Sequence, residues 1–287
     1  MARSYSPLRY PGGKACLYRL ITDFLRLNDG ERRDYAEPYA GGCGLALGLL
    51  FRSHVSDIHI NDIDSSIWAF WDSVLNQTEK FCDRIDGIDV TVEEWRRQRT
   101  IHIEEDVSDT LKLGFAAFFL NRTNRSGIIK GAGVIGGLDQ TGNYKIDCRF
   151  NKQELKARIR RVAKYKDRIH LSNLDAIEFI RSFGSKADRE TFFCIDPPYF
   201  HKGPGLYTNF YGENDHRILS EAVSKIENPW VVTYDNCPEI SKLYRNFRQL
   251  PFDLNYSVQT KKKGSELLIP SKGLRVPKRL RDGEPVI

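Results

Sequence analysis

Four apolar residues, Phe192-Phe193-Cys194-Ile195, run directly into Asp196-Pro197-Pro198-Tyr199. A short unbroken apolar run bounded by turn-forming residues suits a strand buried on both faces, and such strands belong inside parallel sheets. Pro197 has no amide hydrogen and holds Asp196 in extended geometry, so regular pairing must stop there. The strand therefore delivers a carboxylate, a backbone carbonyl and a phenol ring onto a stiff rim. That combination suits a flat, polar ring such as a nucleobase.

The rest of the chain supplies neighbours for such a strand. Leu17, Leu20, Ile21, Phe24 and Leu25 recur at helical spacing, a strand through Tyr35-Ala36-Glu37 follows, and a helix is predicted over 45–51. "VSDIHIND" reads as the next strand, with a helix over 65–75 behind it. After a long interruption the alternation resumes: a strand near Ile169, a helix over 176–183, the strand ending at Ile195, a helix over 215–226 and the strand "WVVTY". Strand alternating with helix predicts an α/β, Rossmann-like doubly wound sheet. "FRQLPFDLNYSVQTKKKGSELLI" predicts antiparallel strands about a lysine-rich turn, which makes the sheet mixed.

The interruption has its own character. Residues 79–120 read as all helical, with Leu111, Phe115, Phe118 and Phe119 on one stripe behind Ser108 as cap. From Asn121 the chain turns glycine-rich and basic: residues 121–168 hold 13 Lys/Arg against 4 Asp/Glu, a local excess of 9 in a chain whose total is +6. The remainder is thus slightly acidic, and the excess points to a polyanionic partner. The run Lys152–Arg168 reads as a solvated helix face that partly tracks phosphates. The chain divides accordingly into 1–78, a helical and basic insertion over 79–167, a return over 168–270, and a basic tail over 271–287 that reads as mobile. Six scattered cysteines without a C-x-x-C pair suggest reduced thiols and no metal site. The opening "MARSYSPLRYPGGK" lacks an apolar stretch, so a cytoplasmic protein with no membrane partner is expected.

"EPYAGGCGLAL" stands between a strand and a helix, where open parallel sheets bind nucleotide-like ligands. Leu47 occupies the position of the third glycine in a dinucleotide fingerprint, which weakens a nicotinamide reading. Glycines still let a ligand approach the backbone, and the helix start offers N–H donors. The next strand ends in Asn61-Asp62, where a carboxylate can accept from ribose hydroxyls; a tight turn with a capping aspartate is the plainer alternative.

In order along the chain, "PLRYPGGK", "EPYAGGCG", "INDID", "FFLNRTNRSG" and "DPPY" resemble the motifs of the Dam-type (D12 class) DNA adenine-N6 methyltransferases. The resemblance implies S-adenosylmethionine as cofactor, double-stranded DNA as partner and, in some settings, a companion restriction or defence protein. Asp196, Pro197, Pro198 and Tyr199 would be catalytic. An exocyclic adenine amine is a poor nucleophile because its lone pair is delocalised. The Asp196 carboxylate and Pro197 carbonyl would hold its hydrogens while Tyr199 stacks on the extruded base.

Carried over position by position, Tyr10, Lys14, Glu37, Pro38, Tyr39, Ala40, Gly41, Gly42, Gly44, Asp62, Asp175 and Asp196 would face the cofactor, with Lys14, and Tyr10 nearby, at its methionine end or at the catalytic pocket. Asp175 has an equal claim as a helix N-cap. Asn121, Arg122, Arg125, Ser126 and Lys130 would face DNA. Ser126 and Lys130 stand where the family has Asn and Arg, so the family's usual target sequence does not transfer. Methylation of cytosine N4 or RNA adenine, and a non-catalytic DNA-binding regulator, are the competing readings.

Overall fold

The computed structural model describes residues 5–9, 14–28, 33–183, 191–201, 211–255 and 263–282. A 3-10 turn, Lys14–Leu17, leads into α1 (Tyr18–Leu27), β1 (Asp34–Glu37), α2 (Gly44–Phe51) and β2 (Ile58–Asn61). Helices α3 (Ser65–Asn76), α4 (Thr78–Gly87), α5 (Val92–Glu104) and α6 (Thr110–Thr123) follow, and after a long irregular stretch come α7 (Lys152–Ala163) and β3 (Ile169–Ser172). The chain continues through α8 (Ala176–Phe183), β4 (Thr191–Ile195), α9 (Glu213–Val223), β5 (Trp230–Asp235), α10 (Pro238–Leu243), β6 (Leu250–Asn255), β7 (Lys263–Pro270) and α11 (Lys278–Arg281). It forms two compact units, residues 1–11 with 62–173 and residues 12–61 with 174–287.

In the second unit the strands lie in the order β2-β1-β4-β5-β7-β6. The first four are parallel, while β7 runs antiparallel to both β5 and β6. Every residue of β1, β4 and β5 is buried, as expected of interior parallel strands; β4 is a continuous apolar run, while β1 also buries Asp34 and Glu37 and β5 buries Asp235. Phe193, Ile195, Trp230, Val232, Leu267 and Ile269 share one core with Phe179 and Leu219 from the covering helices. The chain winds outward from β1 to β2, then returns to β4 on the other side of β1. The loops after β1 and β4 therefore diverge at a topological switch point, the place where open sheets accept ligands.

The first unit is helical. α3 and α6 pack so closely that a Cβ on Gly114 would fall 2.4 Å from the carbonyl oxygen of Ala69. Around this crossing Phe70, Phe81, Phe115, Phe118 and Phe150 form an aromatic cluster with ring centres 5.3–6.1 Å apart. From Leu113 to Asn121 α6 is buried all round, so the expected stripe is a fully enclosed helix. Its cap is Asp109, which accepts from Lys112 N at 2.9 Å, and Ser108 instead donates to Asp106.

The chain after Ser271 is not loose as far as Asp282. Val276 and Leu280 are buried, and the Asn28 side chain exchanges hydrogen bonds with the backbone of Arg275 at 2.8 and 3.0 Å. Two apolar residues among the charges suffice to dock it. The cysteines are all thiols, with Cys148 exposed. No helix among the described residues is long and apolar enough to cross a membrane.

Candidate active site

The Asp-Pro-Pro-Tyr rim leaves the sheet at the end of β4. The register pairs Ile195 with Val232, so the next step carries Asp196 alongside Thr233, whose hydroxyl donates to Asp196 Oδ1 at 2.7 Å. Lys14 Nζ, from the 3-10 turn before α1, lies 3.3 Å from the same oxygen. Its main partner is another carboxylate: it donates to Glu266 of β7 at 2.9 and 3.2 Å, and to the Tyr199 hydroxyl at 2.6 Å. The Tyr199 hydroxyl in turn donates to Glu266 Oε1. Lys14, Tyr199 and Glu266 are all buried. Asp235, at the end of β5, accepts from the backbone N–H groups of Phe200 and His201 at 2.9 and 3.1 Å, which fixes the chain just past the rim.

Two features of this cluster bear on chemistry. Both contacts of Asp196 with described residues fall on Oδ1, which leaves Oδ2 for a ligand. The Lys14 ammonium is 2.6 Å from the Tyr199 oxygen but 5.0 Å from the ring centre. It therefore lies beyond the phenol oxygen and not above the ring, so it does not occupy a stacking face. Burial pushes the Asp196 carboxyl up to about 6; Lys14 and Thr233 oppose the rise, and Glu266 adds to it.

Across the switch point, β1 ends in Glu37. This buried carboxyl accepts from the Tyr35 hydroxyl at 2.9 Å, and burial pushes it up to about 8, so it is mostly neutral at pH 7. The turn that follows bends through two left-handed residues, Gly41 at φ 46° and Cys43 at φ 52°, with Cys43 N–H bonded to Ala40 O at 2.7 Å. Asn61 braces it. Its amide donates to the carbonyls of Pro38 and Leu174 at 3.1 and 2.9 Å and accepts from Leu174 N at 2.9 Å. Gly44 then opens α2, whose Ala46 amide bonds the Glu37 carboxyl. The Glu37 carboxyl would gain a partner in a cation, while the Ala40, Cys43 and Ala46 amides of the turn are engaged by Asn61 O, Ala40 O and Glu37.

The remaining predicted positions are distributed as follows. Asp175 is exposed and caps α8, its Oδ1 accepting from Ile177 N at 2.8 Å; this geometry leaves its other oxygen to a ligand. Asp62 lies in the helical unit and accepts from Asp64 N at 3.0 Å, while Asp64 caps α3. Tyr10 is outside the described residues.

In the glycine-rich segment, Asn121 is fully buried. Its amide accepts from Arg9 N at 2.7 Å and donates to the carbonyls of Arg9 and Gly127, each at 2.8 Å. Arg122 donates through Nε to Arg149 O at 2.7 Å, and burial lowers its guanidinium to about 9. In this conformation both side chains act as struts of the loop. Arg125 and Ser126 are exposed at its tip, and Lys130 is exposed with its ammonium 3.7 Å from Asp64. The tip is held from below: Trp95 Nε1 donates to Asn124 at 2.6 Å, and Asn124 donates to the carbonyls of Ile128 and Ile129. A Cβ on Gly127, at φ 77°, would lie 2.2 Å from Arg9 O. The cations of α7 are largely engaged within the unit: Lys156 with Asp86, Arg158 with Glu154 and Ser6, Arg160 with Glu79.

Residue-by-residue reading of the sequence did not single out Glu266, Thr233 or Asp235. The one visible signal was an acid placed at the head of the apolar run Leu267-Leu268-Ile269. His201, Cys237 and Glu239 bring a nitrogen, a sulfur and an oxygen within 4.8 Å of one another, with His201 and Glu239 exposed. No metal is assigned to them.

A doubly wound sheet with a glycine turn and an Asp-Pro-Pro-Tyr rim flanking its switch point defines a methyltransferase of Rossmann-like fold. Within that class the chain belongs to the D12 class N6 adenine-specific DNA methyltransferases, whose family model matches residues 10–258. It is 24% identical over 205 residues to the type II methyltransferase M.MjaIII of Methanocaldococcus jannaschii, covering 67% of this chain and 68% of that one. Solved structures similar to it include a Pyrococcus horikoshii protein assigned as an RNA methyltransferase, at 12% identity and a TM-score of 0.42, covering 92% of this chain and 84% of that one. Another is the rRNA methyltransferase AviRa of Streptomyces viridochromogenes, at 12% identity and a TM-score of 0.36, covering 88% and 84%. Likenesses this distant carry no weight for the substrate.

Proposed function

We propose that the chain transfers the methyl group of S-adenosylmethionine to the N6 amine of an adenine swung out of duplex DNA, with Asp196 as the group that receives the amine. The observation that carries the reading is the division of labour on that carboxylate. Thr233 and Lys14 hold Oδ1, and Oδ2 is left to accept from an N–H donor. The Pro197 carbonyl provides a second acceptor on the same rim. Together they draw the amino hydrogens away from the ring plane and favour tetrahedral character at nitrogen. Tyr199, with its hydroxyl anchored and its ring buried, is the proposed stacking partner, and seating a base on it requires a ring face to be uncovered.

Glu37 and the Ala40–Gly44 backbone are the residues that would hold the cofactor's amino-acid end. S-adenosylmethionine supplies an electrophilic methyl on a sulfonium. The Asp62 carboxylate is proposed for the ribose and Asp175 for the cofactor's adenine, while Arg125, Ser126 and Lys130 are proposed for DNA. Domain boundaries near residues 78, 167 and 270 are proposed on the same footing, as is a cytoplasmic setting.

The test is incubation of purified protein with methyl-labelled cofactor and mixed-sequence duplex, followed by nucleoside analysis. Labelled N6-methyladenine is the expected product, and Asp196→Ala should abolish it. Label in N4-methylcytosine or only in RNA would replace the reading with a neighbouring activity. Cofactor binding without transfer to any nucleic acid would overturn it.

A further inference from the structure

Among the described residues two rim carboxylates, Asp196 and Glu266, contact the Lys14 ammonium, and the reading of Asp196 as acceptor accounts for only one of them. Burying a second charge is costly unless it is paired, and Glu266 sits in a strand whose following residues, Leu267, Leu268 and Ile269, are buried and apolar. Its cross-strand neighbour Asp235 does not explain it, because that carboxylate is turned to the amides of Phe200 and His201. What Glu266 does hold is the machinery. It takes Lys14 on both oxygens, at 3.2 and 2.9 Å, and receives the Tyr199 hydroxyl.

An ammonium so close to Asp196 is a hazard as well as an aid. With no competing carboxylate, Lys14 would settle fully on Asp196 and take the lone pairs that the substrate amine needs. The observed distances show the balance: 2.9 Å to Glu266 against 3.3 Å to Asp196. We infer that Glu266 is a positioning residue for methyl transfer: by taking the Lys14 ammonium and the Tyr199 hydroxyl, it keeps Lys14 from closing on Asp196 and leaves Asp196 Oδ2 for the incoming amine. The same contact fixes the Tyr199 ring against which the base stacks. This rests on the reading of Asp196 in the proposed function. The upward push that Glu266 exerts on the Asp196 carboxyl accords with two like charges sharing one ammonium.

The experiment uses the full chain carrying Glu266→Gln, Lys14→Met, the double variant and Asp196→Ala, each checked for its melting temperature and for cofactor affinity by calorimetry. Glu266→Gln preserves shape and one acceptor but removes the charge. It should lower kcat on the order of tenfold with cofactor affinity near wild type. In the cofactor-free protein, carboxyl NMR should show Asp196 titrating at lower pH than in wild type. If Glu266 acts through Lys14, the double variant should lose no more than Lys14→Met alone.

Wild-type kcat and an unmoved Asp196 titration in a folded Glu266→Gln protein would overturn the inference, as would additive losses in the double variant. An active Asp196→Ala protein would instead sink the underlying reading. The two failures are therefore distinguishable. Should Glu266→Gln melt early, Glu266→Asp serves as the second variant. It restores the charge at a shorter reach and should recover the wild-type titration while kcat stays depressed.

Discussion

At the residue scale the site is governed by carboxyls that burial has pushed upward. Asp196 must be ionised to accept from the amine, and its carboxyl stands at about 6. The rate of methyl transfer should therefore fall as pH drops below about 6, with single-turnover kinetics across pH 5–8 as the measurement. Glu37 stands higher, at about 8, against an ordinary value of 4.5. A carboxyl raised on folding contributes stability that is fully present below its unfolded value and is lost as pH rises through its folded one. Thermal stability of the cofactor-free protein should accordingly decline between pH 5 and 8, and Glu37→Gln should flatten that slope. If Glu37 ionises to meet the cofactor's ammonium, binding will release a proton below pH 8. Calorimetry in buffers of different ionisation heat would detect it, and proton uptake or no exchange would count against the pairing.

At the scale of elements, two close approaches decide how the helical unit holds together. Gly114 lets α6 lie against the backbone of α3, and a methyl group there would have to displace a carbonyl 2.4 Å away. Gly114→Ala should cost about 1–3 kcal/mol in denaturant unfolding. The Arg125–Gly127 turn is pinned by Asn124, which is in turn pinned by Trp95. Trp95→Phe removes a buried hydrogen bond and should cost about 1–3 kcal/mol. It should also relax the target preference of methylation, because the exposed tip loses its anchor; sequencing of methylated random duplexes reads this directly. Unchanged preference in the Trp95→Phe protein would show that the tip does not read bases.

The element pattern was largely legible in the sequence. Strands alternated with helical spacing: the apolar run ending at Ile195 became β4, "WVVTY" became most of β5 and the strand through Tyr35-Ala36-Glu37 became β1, each buried on every residue. The cap of α6 and its full enclosure were not, because Ser108 and Asp109 both offer capping oxygens, and burial on the outer side of α6 depends on partners remote in sequence. The docking of Val276 and Leu280 was hidden for a similar reason, since two apolar residues in a charged segment give no periodicity.

For the whole molecule, the basic excess over 121–168 pointed to a polyanionic partner, with Lys152–Arg168 as a solvated helix face that partly tracks phosphates. The structure narrows it, because Lys156, Arg158 and Arg160 are spoken for by Asp86, Glu154 and Glu79, and Arg122 by backbone carbonyls. DNA affinity should still weaken with salt, but with a log–log slope well below that of 13 phosphate contacts, the number of cations in the segment. A fluorescence anisotropy titration at several salt concentrations gives the slope. A value near −12, about 0.9 per contact for thirteen contacts, would mean that these internal pairs open on binding.

The sequence by itself determined the doubly wound architecture, the glycine turn and the Asp-Pro-Pro-Tyr rim. Periodicity, glycine and proline act on their immediate neighbours, and their consequences can be read a few residues at a time. Only the tertiary structure decided which side chains meet at the rim. Lys14, Thr233 and Glu266 reach Asp196 or its partners from a 3-10 turn, from β5 and from β7, and sheet register sets which of them share a face. Such contacts depend on long-range pairing, and no local pattern in the chain encodes them.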